Sequence, residues 1–356
     1  MTMFATILQD IRTNYSERLD KFENRGPKFQ LLNKAVENTA SPRGIISPDV
    51  VQAAAASWGR GIEIPVISPT ADSVGTGITC SPAGIELVTD LVGISWTTIS
   101  YAFKMQPAKN DQNDIKYPQE FTNKYINGIR AIGKTIEDLI DTNLTSNITP
   151  AAQYNSSYVG TGNRYPFTAN VMGVSLANHD DFFNDAPDIL EADDLEGPYD
   201  VIGSTNMRSL LAKIRAQGPT NAENKSYQFE DDPMFNFITS NRVTLTPTTA
   251  QASMYIMPEG SFGIVNRVRP DCEAERMAGV KQFGVVRNEP TLGLDLGTIS
   301  WTDCQALNAV TNNAQDTVGV EEYHQMEVMI GLLVPYSNFA SSGVSSVIRK
   351  ADFLKV

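Results

Sequence analysis

The run GIRAIGKT, from Gly128 to Thr135, satisfies the GxxxxGK[ST] spacing of a phosphate-binding loop. In that chemistry a buried strand feeds a glycine-rich loop whose amides point at phosphates, and a helix begins after the Lys. The flanking residues do not supply that setting. The preceding QEFTNKYIN does not read as a strand, and a helical period runs unbroken through Gly128–Thr135. On such a helix Lys134 falls on the wet side, four residues before Asp138, where a surface ion pair forms. Gly133 falls within the apolar arc and Gly128 at its edge; two interior glycines cost about 1 kcal/mol each, which the close approach of another element would explain. A packed helix is therefore expected, and loss of ATP binding on replacing Lys134 by Ala would overturn that reading.

Other chemistry is sparse. Cys304 beside Asp303, with His324 twenty residues on, could be drawn as a nucleophile and base, but no GxSxG elbow occurs. Cys80, Cys272 and Cys304 lack metal-ligand spacing, and there are two histidines in all, His179 and His324. His324, between Tyr323 and Met326 on an apparent strand, is expected to be structural. The acidic run Asp180, Asp181, Asp185, Asp188, Glu191, Asp193, Asp194, Glu196 lacks the order of a calcium loop and reads as a solvated loop, with weak divalent binding between chains the lesser alternative. No catalytic, cofactor or metal residue is assigned.

Composition narrows the classes further. The 356 residues carry 28 basic and 41 acidic side chains, a net −13, which disfavours a protein whose main task is gripping nucleic acid. Hydrophobic residues make up 41%, enough for a core, while charged residues are 19% and Asn numbers 26. No run of 18 apolar residues occurs, so no membrane partner is expected. The first residues do not read as a signal peptide, and scattered cysteines suit a reducing compartment. Asn-x-Ser/Thr matches, among them Asn143, Asn147, Asn155 and Asn224, then carry no meaning.

The elements that would position these residues follow an informative order. Phe4, Ile7, Leu8, Ile11, Tyr15, Leu19 and Phe22 share an arc of about 120° on a helix that Gly26-Pro27 stops. A short helix follows around Phe29–Val36, and Ser47-Pro48 opens another over VVQAAAASW. Such a string reads as an arm lying on something else. RGIEIPVIS and GISWTTISYAFKM alternate like strands around a Gly/Ser/Thr-rich tip, and Pro65 suits an edge. From Pro118 to about Thr145, Phe121, Tyr125, Ile129, Ile132, Ile136, Leu139, Ile140 and Leu144 cover an arc of roughly 140°, with Arg130, Lys134, Asp138 and Asp141 opposite. That helix would be about 42 Å long. Ser204–Gln217 reads as a helix; strands are expected at Phe235–Ile238, Arg242–Thr246, Ser253–Met257, Gly263–Val268, Phe283–Val286, Gln325–Val334 and Ser346–Arg349. The class is α+β.

This order resembles the major capsid protein of tailed bacteriophages, the Hong Kong 97-type fold. GRGIEIPVISP and GISWTTISYAFKMQP look like the two arms of its extended loop, and NDIKYPQEFTNKYINGIRAIGKTIEDLIDTNL like its spine helix. YDVIGSTNMRSLLAKIRAQG, SMYIMPEGSFGI and the ending VMIGLLVPYSNFASSGVSSVIRKADF resemble its axial and peripheral segments. The resemblance implies a helical arm at 1–59, an extended β loop at 60–112, a peripheral domain at 113–190 and 320–356, and an axial domain at 191–319. It implies a coat protein that self-assembles through hexamers and pentamers into an icosahedral shell enclosing DNA without sequence-specific binding. Portal, scaffolding or decoration proteins would be further partners, the virion its location, and the host cytoplasm its place of assembly. The arm is too short for a fused scaffolding segment, and no residue here is assigned to the Lys–Asn crosslink of some relatives. Phe4, Ile7, Ile11, Tyr15, Ile64, Val66, Trp96, Tyr101 and Phe103 are the candidate subunit-interface residues. A nanocompartment shell of the same fold, a phosphate-loop NTPase and a β-rich tail protein are the competing readings.

Overall fold

The computed structural model describes residues 3–14, 16–25, 29–41, 63–68, 88–106, 117–193, 195, 197–217, 234–245, 249–304, 320–333 and 346–355. Helices α1 (Met3–Asn14), α2 (Ser16–Arg25) and α3 (Gln30–Ala40) come first. Phe4, Leu8, Ile11, Leu19 and Phe22 are buried as the helical arc predicts, on two helices rather than one. The helix expected after Ser47 lies outside the described residues.

Strand β1 (Glu63–Ser68) pairs antiparallel with β2 (Val88–Gly93), from Glu63 opposite Gly93 to Ser68 opposite Val88. The two form a sheet of their own. Here the sequence reading needs correcting. The expected returning arm of the loop was Gly93–Met105, but Trp96–Met105 (β3) turns away and joins a six-stranded sheet. Its alternation is that of a strand laid on a core: Phe103 and Met105 are buried while Ala102 and Lys104 are exposed.

Helix α4 (Tyr117–Ser146) spans 30 residues, opening with Pro118 in its first turn, where a missing N–H costs nothing. Seven of the eight arc residues are buried, and Leu139 packs against them half-buried. Arg130, Lys134 and Asp138 are exposed as expected. Asp141 is not. It is buried, accepting hydrogen bonds from the hydroxyls of Thr244 at 3.0 Å and Tyr255 at 3.1 Å.

The first sheet runs β10-β11-β12-β13-β3, with β9 also on β13. These are β9 (Gly263–Arg267), β10 (Met277–Ala278), β11 (Lys281–Glu289), β12 (Leu294–Cys304) and β13 (Val320–Leu333). At its centre, β13 sends His324, Met326, Val328 and Ile330 inward, a strict period of two, beneath α4 and α1. The second sheet runs β4-β5-β14-β8-β6-β7: β4 (Phe167–Thr168), β5 (Val171–Val174), β14 (Arg349–Leu354), β8 (Ala250–Pro258), β6 (Tyr199–Ser204) and β7 (Phe235–Ser240). Helices α5 (His179–Glu191) and α6 (Met207–Gln217) pack on one face, burying Ala252, Met254 and Ile256 in a second core. Tyr255 and Met257, on the opposite face of β8, belong to the first core instead. Burial on both faces makes the strand a continuous apolar run.

Two further corrections follow. Asp180–Glu196, read as a solvated loop, contains α5, whose acidic first turn complements the helix dipole. The expected boundaries at 190/191 and 319/320 do not separate the cores. β9–β12, placed with 191–319, share a sheet with β13, while β14, placed with 320–356, sits in the second sheet between β5 and β8. Non-local strand pairing, which local patterning does not encode, sets this division. Of the strand expected at Arg242–Thr246, the described residues 242–245 form none; Val243 instead plugs the first core.

Candidate assembly surfaces

The motif at Gly128–Thr135 is helical throughout. Its glycines are small because other elements press on them. A Cβ at Gly128 would overlap the Met326 methyl and the Tyr101 ring, and one at Gly133 the Phe29 ring. Lys134 points outward, and Asp138 pairs with Arg242 at 3.5 Å. No amide of this segment faces a phosphate, because each amide beyond the first turn serves the helix. The Cys304–His324 pairing also dissolves. The register sets Cys304 opposite Val320 and His324 opposite Ser300, whose hydroxyl lies 3.0 Å from Nδ1. His324 sits among the rings of Phe4, Phe103 and Phe121, a structural histidine in a core position. Cys272 is buried, and burial together with the nearby Glu327 pushes its thiol up to about 12, far from a reactive thiolate. Among the described residues no group of His, Cys, Asp and Glu is placed to hold a metal ion, and no helix is long and apolar enough to cross a membrane.

Of the candidate interface residues, Phe4, Ile11 and Phe103 are buried in the chain's own first core. They fasten the N-terminal helices to their own subunit: Phe4 lies 5.3 Å from the Phe121 ring and 6.1 Å from Tyr125. The arm therefore rests on its own α4 and first sheet, where the sequence reading had it laid across neighbouring subunits. Ile7 and Tyr101 are half-buried against the same core. Trp96 is half-buried with the Arg267 guanidinium 3.8 Å over its ring, a cation–π contact at the foot of the β1–β2 ladder. Ile64 and Val66 lie on β1, their side chains outside the described residues, and Tyr15 lies outside them altogether. Among the described residues the most exposed large apolar side chains are Met277, 71% exposed, and Val280, 67%, at the β10–β11 hairpin, and Leu176, 57%, before α5. Sequence patterning missed all three, because isolated apolar residues in a two-residue strand, a turn or a single 3-10 turn carry no period.

Buried charges hold the two cores in register. Lys34 of α3 pairs with Asp200 of β6 at 3.1 Å, and Asn38 and Asn236 donate to the same carboxylate at 3.0 and 3.3 Å. Glu137 of α4 accepts the Leu31 amide at 3.1 Å, satisfying an open donor in the first turn of α3; burial raises its carboxyl while that amide opposes the shift. Thr39 exchanges hydrogen bonds with Ile264 of β9, at 2.8 and 3.1 Å. Helix α3 is thus stitched to α4, β9 and β6 together. In the second core Arg349 and Asp193, both with 0% of the side chain exposed, pair at 2.8 Å, and the guanidinium lies 4.4 Å over the Tyr154 ring. The acidic run contributes structure again where Asp181 and Asp185 grip Arg164.

No family model matches the chain, and no curated protein matches it. Among solved structures it is similar to one described as Mycobacterium phage Adephagia, with 15% identity over 89% of this chain and 92% of that one, at a TM-score of 0.43. A cyanophage Pam1 capsid asymmetric unit shares 11% identity over 86% and 87% of the two chains, at 0.44. A capsid structure of the cyanophage P-SCSP1u shares 10% over 84% of each, at 0.41.

Proposed function

We propose that this chain is the coat subunit of a tailed-phage shell, a major capsid protein of the Hong Kong 97-type fold. The observation that carries the reading is the β1–β2 ladder. Six residue pairs form a two-stranded sheet of their own, outside both six-stranded sheets, and an isolated ladder of that length is marginal in water. It gains stability when laid on another subunit. The 30-residue α4 supports the rest as a spine, the first core corresponding to a peripheral domain and the second to an axial one. Repeated heterologous contacts of this kind close into rings, here hexamers and pentamers of a shell. Ile64, Val66, Trp96 and Tyr101 are the interface side chains this reading retains.

The shell would enclose the phage genome without sequence-specific contacts, consistent with a subunit charge of −13. Portal, scaffolding and decoration proteins are the further partners, the virion the location, and the host cytoplasm the place of assembly. The subunit's work is geometric, with no reaction assigned to it. The test is an assembly assay with Ile64→Asp and Val66→Asp. These variants should melt like the parent chain yet sediment as subunits, because the ladder lies outside both cores. Variants that assemble normally would remove the ladder from the interface and this reading with it.

A further inference from the structure

Strand β3 ends the first sheet. It pairs with β13 without a bulge, from Trp96 opposite Gly331 to Met105 opposite Glu322, and among the described residues no strand lies along its other side. At ten residues it is long for an edge strand. The Lys104 carbonyl accepts a hydrogen bond from Lys124 of α4 at 2.6 Å and so faces away from β13. Backbone direction alternates along a strand, which turns the N–H and C=O groups of Trp96, Thr98, Ser100 and Ala102 to the same open side. Sheets commonly blunt such an edge with proline, a bulge or charge. Here the one charge is Lys104, near the end of the strand and already paired with Glu321 at 3.2 Å, and the run WTTISYAF before it has no proline, bulge or charge. Side chains beside the edge are incompletely covered as well. On the face toward α4, Ile99 and Tyr101 pack on the first core yet stay half-buried, and on the other face Thr98, Ser100 and Ala102 are exposed.

We propose that this edge pairs with the same edge of a second copy, antiparallel and centred on Ser100. An isologous contact of this kind sets each residue against its symmetry counterpart. Ser100 meets its own mate on the two-fold axis, and on either side Thr98 of one copy and Ala102 of the other exchange N–H···O bonds. The same register sets Ile99 against Tyr101 of the second copy, an aliphatic–aromatic cross-strand pair made twice. It also sets each Lys104 opposite a Trp96, so the two lysines never face one another. A second copy therefore satisfies the open backbone groups, covers the half-buried side chains and brings no like charges together. The two first sheets become one and the exposed edge disappears. The pairing needs only two copies and stands apart from whether the β1–β2 ladder builds a shell.

The test is Ser100→Cys in the full-length chain under mild oxidation. On the axis the two Cα atoms would lie about 5.5 Å apart, within reach of a disulfide. Non-reducing electrophoresis should move most of the chain to twice its 38.9 kDa mass, and peptide mapping should find position 100 joined to itself. Thr98→Cys and Ala102→Cys should not link to themselves, yet should link to each other when the two variants are co-expressed. Adding Ser100→Pro to both should abolish that link, since the N–H it removes faces the open edge and does not serve β13. A thiol at position 100 that joins nothing, or that joins Cys80, Cys272 or Cys304 of another chain, would overturn the proposal. So would a link between positions 98 and 102 that survives Ser100→Pro. If Ser100→Pro unfolds the chain, the link at position 100 decides alone. Closed particles built from chains whose position-100 thiols do not join would remove this pairing and leave the coat reading standing.

Discussion

Gly133 has no room for a methyl group, because the Phe29 ring stands where a Cβ would be. Gly133→Leu must push Phe29, and with it the start of α3, off the spine. Overpacking of this kind costs about 1–3 kcal/mol, which a denaturant melt of the variant would register. Lys134, next to it in a phosphate-loop pattern, is exposed on the helix, so Lys134→Ala should leave both melting and assembly unchanged. Asp352 shows the opposite behaviour. Burial pushes its carboxyl up to about 6, against a hydrogen bond from Ser253 and the attraction of Lys350. A carboxyl raised in the folded state favours the fold while protonated, so its contribution is whole below the ordinary value of 3.8 and is lost as pH rises through about 6. Asp352→Asn should flatten the dependence of melting temperature on pH between those values; a profile identical to the parent's would contradict the assignment.

At the scale of elements, the buried pair of Arg349 and Asp193 joins β14 to the segment after α5. Removing one partner strands the other without water, and Asp193→Ala should cost about 3–5 kcal/mol, measurable by chemical denaturation. The sequence was most legible where one face is buried and the other wet. Helix α4, the arc of α1 and α2, and the alternation of β13 all met that condition, and the small residues at Gly128 and Gly133 announced a close approach that the structure contains. Legibility failed where burial removes the contrast. Every residue of β6 is buried, so YDVIGS shows no alternation to read. β12 turns Thr298 and Ser300 inward, polar side chains at core positions, and escaped notice for that reason. β2 was missed because the neighbouring β3 alternates more strongly, although β2 is the strand that pairs with β1. Lys34, Asp141 and Asp200 are charged residues at buried positions, and only their distant partners explain them.

For the whole molecule, the two cores and the ladder divide the work. The cores hold two buried ion pairs, Lys34 with Asp200 and Arg349 with Asp193, and α3 bridges both sheets through Lys34 and Thr39 while meeting α4 at Glu137. The ladder stands outside, and the most exposed large apolar side chains among the described residues, Met277 and Val280, occupy a hairpin at the end of the first sheet. In a free subunit, protease should cut first within or beside residues 63–93, and assembly should protect the same span. The most direct measurement is electron microscopy of the purified full-length chain under assembly conditions. Closed isometric particles, with strands of one subunit's β1–β2 ladder lying across its neighbour, are the predicted result. A chain that remains a 38.9 kDa monomer at every concentration, or that packs its ladder onto its own cores, would contradict the account.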